Sequence, residues 1–304
     1  MRLKHLTTAL TAGILFLTLS GHSSVHAQSS PEPKCSAFLE GGAFFSWKGI
    51  SGRGYERSAP AMWEQSAIAA NVTKGPCSLA LVIDGFGSSL SGQGFSLAFT
   101  LAERVGGSDL SASAADPLSS PLTGASGVSE EIVFPLFLSI APGQTVKAGE
   151  YAVSVPVKLY DIGNGLPQML DEGVVEIVVT VGPELSVAAK GSVGRSIDVD
   201  LGDVEQGFRH DMDFIVNSNA PVSVSLLSEG KGHLMHEMAD IGITYTARME
   251  GTLFDLGSGM DERWFDLPVG QDELLSLSLE GRSPIMPVAG RYADTLTVIF
   301  RSDM

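Results

Sequence analysis

Cysteine is nearly absent: the 304 residues hold two, Cys35 and Cys77, both in the first third. There is no CxxC spacing and no nearby histidine to suggest a metal or redox pair. In an exported chain an isolated pair most simply forms one disulfide. Basic charge is scarce too: 19 Lys and Arg stand against 35 Asp and Glu, a formal net charge of −16. So acidic a chain is a poor candidate for nucleic acid or anionic lipid, because phosphate contacts need a basic surface. The acidity favours solubility instead.

Catalytic patterns are missing as well. His236-Glu237-Met238-Ala239-Asp240 falls one residue short of the zinc-protease pattern, since Asp240 stands where a second histidine belongs. His233-Leu234-Met235-His236-Glu237-Met238 offers ligands that suit copper, but it reads more simply as a loop or strand end after a Gly-rich turn. No GxSxG elbow occurs, and Gly230-Lys231-Gly232 lacks the rest of a phosphate loop. Carboxylate pairs mean little in a chain this acidic. Asn71-Val72-Thr73 fits a glycosylation sequon, which matters only in a eukaryotic secretory pathway. No enzyme activity, cofactor or metal site is expected.

What is present begins with an export signal. Arg2 and Lys4 form a positive start, Leu10 through Leu19 a short apolar core, and Val25-His26-Ala27 a small-residue cleavage site. That core is shorter than the ~20 residues of a membrane span, and no later segment is long and apolar enough to be one. Residues 1–27 are therefore read as a signal peptide. The remaining 277 residues (304 less 27) suggest two domains.

Glycine is abundant (35 residues) and long helical periodicity is hard to find. Short alternating apolar runs between Gly, Ser, Pro and Asn predict an all-β chain of sandwiches. Expected strands include Cys35 to Leu39, Cys77 to Ile83, Phe95 to Phe99, Ile132 to Ile140, Val174 to Val181, Met212 to Val216, Val222 to Leu226, Ile241 to Ala247 and Leu275 to Leu279. Ile197, Val199 and Leu201 form another alternating run. Residues 106–127 read as a long loop. Gly182-Pro183 breaks the pattern, dividing a first sandwich (28–182) from a second (183–304).

One motif occurs twice. Ala148-Gly149-Glu150-Tyr151 opens a run in which Tyr151, Val153, Val155, Val157 and Leu159 share a face. Ala289-Gly290-Arg291-Tyr292 opens another, with Tyr292, Leu296, Val298 and Phe300 on one face. After the first copy comes Val174 to Val181, which either closes the first sandwich or opens the second. After the second copy only Arg301 to Met304 follow. If the units are equivalent, the second lacks its last strand. Such a sandwich exposes an apolar groove and an unpaired edge, and needs a partner's strand by β-augmentation. Gln28 to Lys34 is too short and polar to be donated in turn, so this chain would accept a strand without giving one, at the end of a fibre.

Both units resemble the spore coat protein U domain found in subunits of archaic chaperone–usher pili. In the first, the resemblance lies in Cys35, Cys77-Ser78-Leu79-Ala80-Leu81-Val82-Ile83-Asp84-Gly85, Leu97-Ala98-Phe99-Thr100-Leu101, Ala141-Pro142-Gly143-Gln144 and Ala148-Gly149-Glu150-Tyr151. In the second it lies in Ser225-Leu226-Leu227-Ser228-Glu229, Ile243-Thr244-Tyr245-Thr246 and Ala289 through Val298. The resemblance implies Ig-like sandwiches and three partners: a periplasmic chaperone, an outer-membrane usher and a neighbouring pilin subunit. It also implies that a basic pair on the chaperone holds the Met304 carboxylate. Two-domain members are similar to tip adhesins, with the first domain binding and the second acting as pilin. The expectation is thus a subunit exported through the periplasm to a surface fimbrium, where it serves adhesion and biofilm formation. Its assembly edge would be Tyr292, Leu296, Val298 and Phe300. Adhesion to a surface or glycan receptor would fall to Phe44, Phe45 and Trp47, in a Gly-rich stretch with Tyr55, Met62 and Trp63. Exposed aromatics there would suit sugars or apolar surfaces; buried, they would be core residues of edge strands. The alternative is a cell-surface or coat structural protein that does not polymerise.

Overall fold

Apolar side chains at every second position make strands with one wet and one dry face. Pairs of such sheets then pack dry face to dry face. The computed structural model describes residues 35–83, 87–110, 116–127, 130–192, 194–282 and 288–303. The export signal, the Asp84-Gly85 turn and Met304 lie outside the described residues.

Ten strands build the first sandwich: β1 (Ser36–Leu39), β2 (Ala43–Trp47), β3 (Glu64–Lys74), β4 (Cys77–Ile83), β5 (Ser89–Gly92), β6 (Phe95–Ala102), β7 (Thr123–Ser126), β8 (Glu131–Ile140), β9 (Gly149–Asp161) and β10 (Gln168–Val181). They run as one continuous curled sheet, β1-β3-β8-β6-β5-β9-β10-β2, with β4 also on β9 and β7 on β4. β9 illustrates the cause. Tyr151, Val155, Val157 and Leu159 are buried, while Glu150, Ala152, Ser154 and Pro156 between them are exposed. The Cys35–Cys77 disulfide, with Cα atoms 5.1 Å apart, ties the start of β1 to β4.

β10 settles the ambiguous stretch. It pairs antiparallel with β9 from Gln168↔Asp161 to Val181↔Gly149, and parallel with β2 along its other edge. Val174 to Val181 therefore belongs to the first sandwich. The sides of this sandwich are tied shut. The Leu39 amide donates to Asp171 Oδ2 (2.8 Å), and the Lys48 amide, just after β2, donates to Glu64 Oε1 of β3 (2.8 Å).

The second sandwich comprises β11 (Leu185–Ala189), β12 (Phe208–Ser218), β13 (Val222–Ser228), β14 (His233–His236), β15 (Gly242–Met249), β16 (Thr252–Phe254), β17 (Met260–Phe265), β18 (Glu273–Gly281), β19 (Tyr292–Ala293) and β20 (Leu296–Ser302). Here the sheets are separate. One runs β11-β12-β18-β15-β14-β19, with β16 on β15; the other is only β17-β13-β20. Val216, Val222, Val224, Leu226, Ala247, Met249 and Leu277 form its own core, distinct from the first. The chain is all-β, two tandem Ig-like sandwiches, and in the second β20 pairs on one side only among the described residues. Between the sandwiches Asn219 is the knot. Its carbonyl accepts from the Ala148 amide (2.8 Å), its Oδ1 from the Glu184 amide (2.7 Å), and its Nδ2 donates to the Gly182 carbonyl (3.0 Å).

Three expectations about elements need correction. Residues 106–127 are not all loop: a 3-10 turn (Pro117–Ser119) and β7 lie there, and β7 pairs with β4. Small residues hid that strand for a steric reason. A Cβ on Gly124 would come within 2.6 Å of Ile132 Cγ2, so the close approach excludes the bulky residues that usually signal a strand. The alternating run Ile197, Val199, Leu201 joins no strand. The run from Tyr292 to Phe300 is broken at Asp294 into β19, which pairs with β14, and β20, which pairs with β13.

Candidate functional site: the open edge of the second sandwich

The pair β13–β20 repeats the pair β4–β9. Val224 faces Phe300 and Leu226 faces Val298, as Leu81 faces Leu159 and Ile83 faces Val157. The duplicated motif gives the same alignment: Tyr151 and Tyr292, like Leu159 and Phe300, lie 141 positions apart (292 − 151; 300 − 159). Both tyrosine hydroxyls also make the same bond, to the carbonyl four residues upstream: Tyr151 to Lys147 (2.7 Å) and Tyr292 to Val288 (3.0 Å).

The two copies differ in what covers them. β9 has β10 along its outer edge, and Val155, Val157 and Leu159 are at most 1% exposed. Among the described residues β20 pairs only with β13. Its Leu296, Val298 and Phe300 pack on the core but stay half-buried. A row of backbone donors and acceptors is left unpaired beside them.

The other edge of this small sheet is β17, and it is protected. Asp261, Glu262 and Arg263 put three charges into its six residues, with Arg263 Nη2 2.7 Å from Asp261 Oδ2. Charged side chains on an edge strand discourage further pairing. β20 has one charged residue, Arg301, in seven. Of the two edges, β20 carries the fewer charges against pairing.

Across the opening stands β11, the edge of the larger sheet, which pairs only with β12 among the described residues. Its Leu185 and Ala189 rest half-buried on the same core. Phe214 of β12 lies at the bottom, its ring centroid 5.2 Å from that of Phe300. At one end Ser218 Oγ lies 3.0 Å from the Glu184 carbonyl and 3.3 Å from Ser302 Oγ, joining the two edges. Leu185 and Ala189 on one edge and Leu296, Val298 and Phe300 on the other thus leave a partly buried apolar surface over one end of the core, here called the trough.

Asp294 fixes the other end. Its carboxylate accepts from the Ser228 hydroxyl (2.5 Å), the Tyr245 hydroxyl (2.6 Å), the Gly230 amide (2.7 Å) and the Thr295 amide (2.8 Å). Burial, and then the Asp294 carboxylate as its hydrogen-bond partner, push the Tyr245 phenol well above its usual range, so it stays a donor. Asp294 occupies the position of Val153 in the first copy, and there the chain crosses from one sheet to the other.

The structure brings Leu296, Val298 and Phe300 together on β20 but separates Tyr292 from them. Tyr292 lies on β19 against His236, ring centroids 4.9 Å apart. Met304 lies outside the described residues. The three candidate adhesive aromatics divide. Phe44 is 57% exposed, opposite Glu176 on β10, whereas Phe45 and Trp47 are 2% and 6% exposed. This corrects the expectation for the last two. β2 is a strand, so alternate residues turn inward, and Phe45 and Trp47 fill the first core. Trp264 is 57% exposed, while Phe254 is buried at 2%. Sequence reading missed the far wall of the trough, Leu185, Ala189 and Phe214, since nothing local marks residues from distant strands as neighbours. No cluster of three metal-binding side chains occurs among the described residues. The histidines are engaged with backbone: His236 Nδ1 accepts from the Met238 amide (3.1 Å), and His233 Nδ1 lies 3.2 Å from the Lys231 carbonyl.

No protein-family model matches the chain, and no curated protein matches it. Solved structures do. One is the chaperone–tip adhesion subunit pre-assembly complex of archaic chaperone–usher Csu pili from Acinetobacter baumannii (14% identity, 88% of this chain and 99% of that one, TM-score 0.38). Another is a mutant of CfaE, the CFA/I adhesin of enterotoxigenic E. coli (11% identity, 87% and 93%, TM-score 0.46). A third is the CupB6 tip adhesin of Pseudomonas aeruginosa (10% identity, 89% and 94%, TM-score 0.37). With every TM-score below 0.5, these likenesses carry no function across.

Proposed function

We propose that this chain is an exported, non-enzymatic fibre subunit that accepts a strand from a partner into the trough beside β20. The observation that carries this is the contrast between two equivalent strands. β9 is covered by β10 and its apolar face is sealed. β20, aligned with it by pairing and by motif, pairs on one side only among the described residues and carries little charge. In this reading residues 28–182 and 183–304 are separate domains, supported by their separate cores. The second is the acceptor, and Leu296, Val298 and Phe300 line its edge. The first is the adhesive domain, with Phe44 as the remaining exposed aromatic among the three candidates. The partners are a periplasmic chaperone, an outer-membrane usher, a neighbouring subunit that supplies the strand, and a surface or glycan receptor. The disulfide supports passage through an oxidising compartment such as the periplasm.

The test uses a peptide copying residues 173–181 of β10, bracketed by lysines for solubility. Added to the full chain, it should protect the amides of Leu296–Ser302 from hydrogen exchange. At a hundredfold excess over Kd it should add about 2.7 kcal/mol of stability, several degrees in Tm. A peptide of the same composition without alternation should do neither. If the alternating peptide leaves both the exchange and the Tm unchanged, the subunit does not accept a strand, and a non-polymerising coat protein becomes the better reading.

A further inference from the structure

The alternating run that forms no strand lies in the link between β11 and β12 and touches the core of the second sandwich. β11 and β12 are antiparallel neighbours, and two residues suffice to join such a pair. The chain instead spends residues 190–207 on the connection. Within it, Ile197, Val199 and Leu201 alternate with Ser196, Asp198 and Asp200. This is the same pattern as Val175, Ile177, Val179 and Val181 in β10, the strand that seals the first sandwich.

The segment is partly seated already. Leu201 and Val204 pack, half-buried, against the second core, the core that Leu296, Val298 and Phe300 also line. Val199 is half-buried, while Ile197 is 39% exposed. Two short turns hold the chain just past Leu201: Asp200 Oδ1 accepts from the Gly202 amide (2.9 Å) and Asp203 Oδ1 from the Glu205 amide (3.0 Å). The segment leaves β11, the strand that forms the far wall.

We infer that residues 196–201 are an internal strap, which covers the open core of the second sandwich and competes with an incoming strand for the edge of β20. This rests on the strand-acceptor reading above and adds its regulation. An extended residue spans about 3.3 Å, so this run of six nearly matches the seven residues of β20. The sequence also makes the strap a weak occupant. Asp198 and Asp200 are poor strand formers, and their charge opposes edge-to-edge pairing between copies. β10 has one acidic residue, Glu176, from Val174 to Val181. A strand of that better kind displaces the strap, while the strap shields apolar surface until one arrives. An occupied trough lowers the apparent affinity for the donor in proportion to the fraction of molecules that are open.

The experiment compares the full chain with a Val199→Ser, Leu201→Ser double variant, and with the milder Leu201→Ala in case the first unfolds. An apolar fluorescent dye reports exposed core without any partner. Its signal should rise about two- to threefold in the folded variant, as it does when apolar surface is uncovered. Equal dye signals in all three proteins would overturn the strap. The lysine-bracketed copy of residues 173–181 then reports competition. It should bind the variant about tenfold faster than the native chain, the factor expected if about a tenth of native molecules are open. Equal rates would also overturn the strap. If the dye signal rises but the peptide binds neither protein, the covering role stands and the strand-acceptor reading falls.

Discussion

Phe44 and Phe45 are adjacent in sequence, and the fold assigns them opposite consequences. Phe45 is 2% exposed, faces Ile177 across the β2–β10 pair and sits in the first core. Replacing it with alanine removes a buried ring and leaves a cavity, at a cost of about 3–5 kcal/mol. Phe44 is 57% exposed, and truncating it should cost no more than about 0.5 kcal/mol, as for other surface positions. For a domain of this size 1 kcal/mol moves Tm by about 2–4 °C. Phe45→Ala should therefore lower Tm by about 10 °C and Phe44→Ala by about 2 °C or less. Trp47→Ala, at 6% exposed, should behave like Phe45→Ala. Thermal unfolding followed by near-UV circular dichroism, with urea midpoints at constant slope as a second measure, reads the difference. Comparable losses from Phe44→Ala and Phe45→Ala would refute the inward assignment of β2, and with it the claim that only Phe44 of the three can meet a receptor. The same pair makes the adhesion assay interpretable. Weaker attachment of Phe44→Ala at unchanged Tm would locate binding at that residue, whereas weaker attachment of Phe45→Ala would report only unfolding.

Two further outcomes follow from named contacts. Replacing both Cys35 and Cys77 with serine opens a loop of 42 residues, for which the chain-entropy relation gives about 4 kcal/mol; denaturation of the native chain with and without reductant should show that loss, and the double variant should be indifferent to reductant. Asp213 accepts from the Ser276 hydroxyl (2.6 Å) and from Lys190 Nζ (3.1 Å), and these, the hydroxyl first, hold its carboxyl below the usual range. A depressed folded value stabilises above the unfolded pKa of about 3.9 and is lost as pH falls through the folded value. Asp213→Asn should therefore lower Tm at neutral pH, where that contribution is fully present, and flatten the fall of Tm below about pH 4, so that the two curves converge in acid; an unaltered acid limb would contradict the assignment.

Alternation was a sufficient signal wherever a strand has one wet and one dry face. β9, β15 and β18 lie where apolar residues alternate with polar or small ones. It failed in three physically different ways. β7, with the sequence Thr-Gly-Ala-Ser, is too small in side chain to register, and at Gly124 the neighbour Ile132 leaves no room for a Cβ. Ile197, Val199 and Leu201 have the pattern but pair with no strand in this structure, and a strand is defined by its neighbour as much as by its own residues. Trp47 and Phe45 looked like loop aromatics because glycines surround them, yet those glycines are what let β2 sit tightly. A Cβ on Gly42 would fall 2.1 Å from the Val174 carbonyl oxygen, and one on Gly54, at φ +95°, equally close to that of Thr180.

The same limit governs the candidate site. Leu296, Val298 and Phe300 were readable as one face, but what makes them a site is the absence of pairing beyond them among the described residues, a property of neighbours rather than of the strand. Only the internal duplicate turns that absence into an argument. With Leu159 matched to Phe300 and Val157 to Val298, β9 serves as a control carrying the same face, the same tyrosine bond and the same inner partner strand. It differs in having β10, and its apolar residues are sealed while those of β20 are not. Asp294 in place of Val153 limits the vacancy, since it breaks β20 at Leu296 and turns the chain toward β14. In the strand-acceptor reading a donor would therefore pair along Leu296–Ser302 and no further. Restoring an apolar residue with Asp294→Val would not lengthen the edge; it would strand the Ser228 and Tyr245 hydroxyls without their acceptor, and the loss should appear as lower stability rather than tighter strand binding.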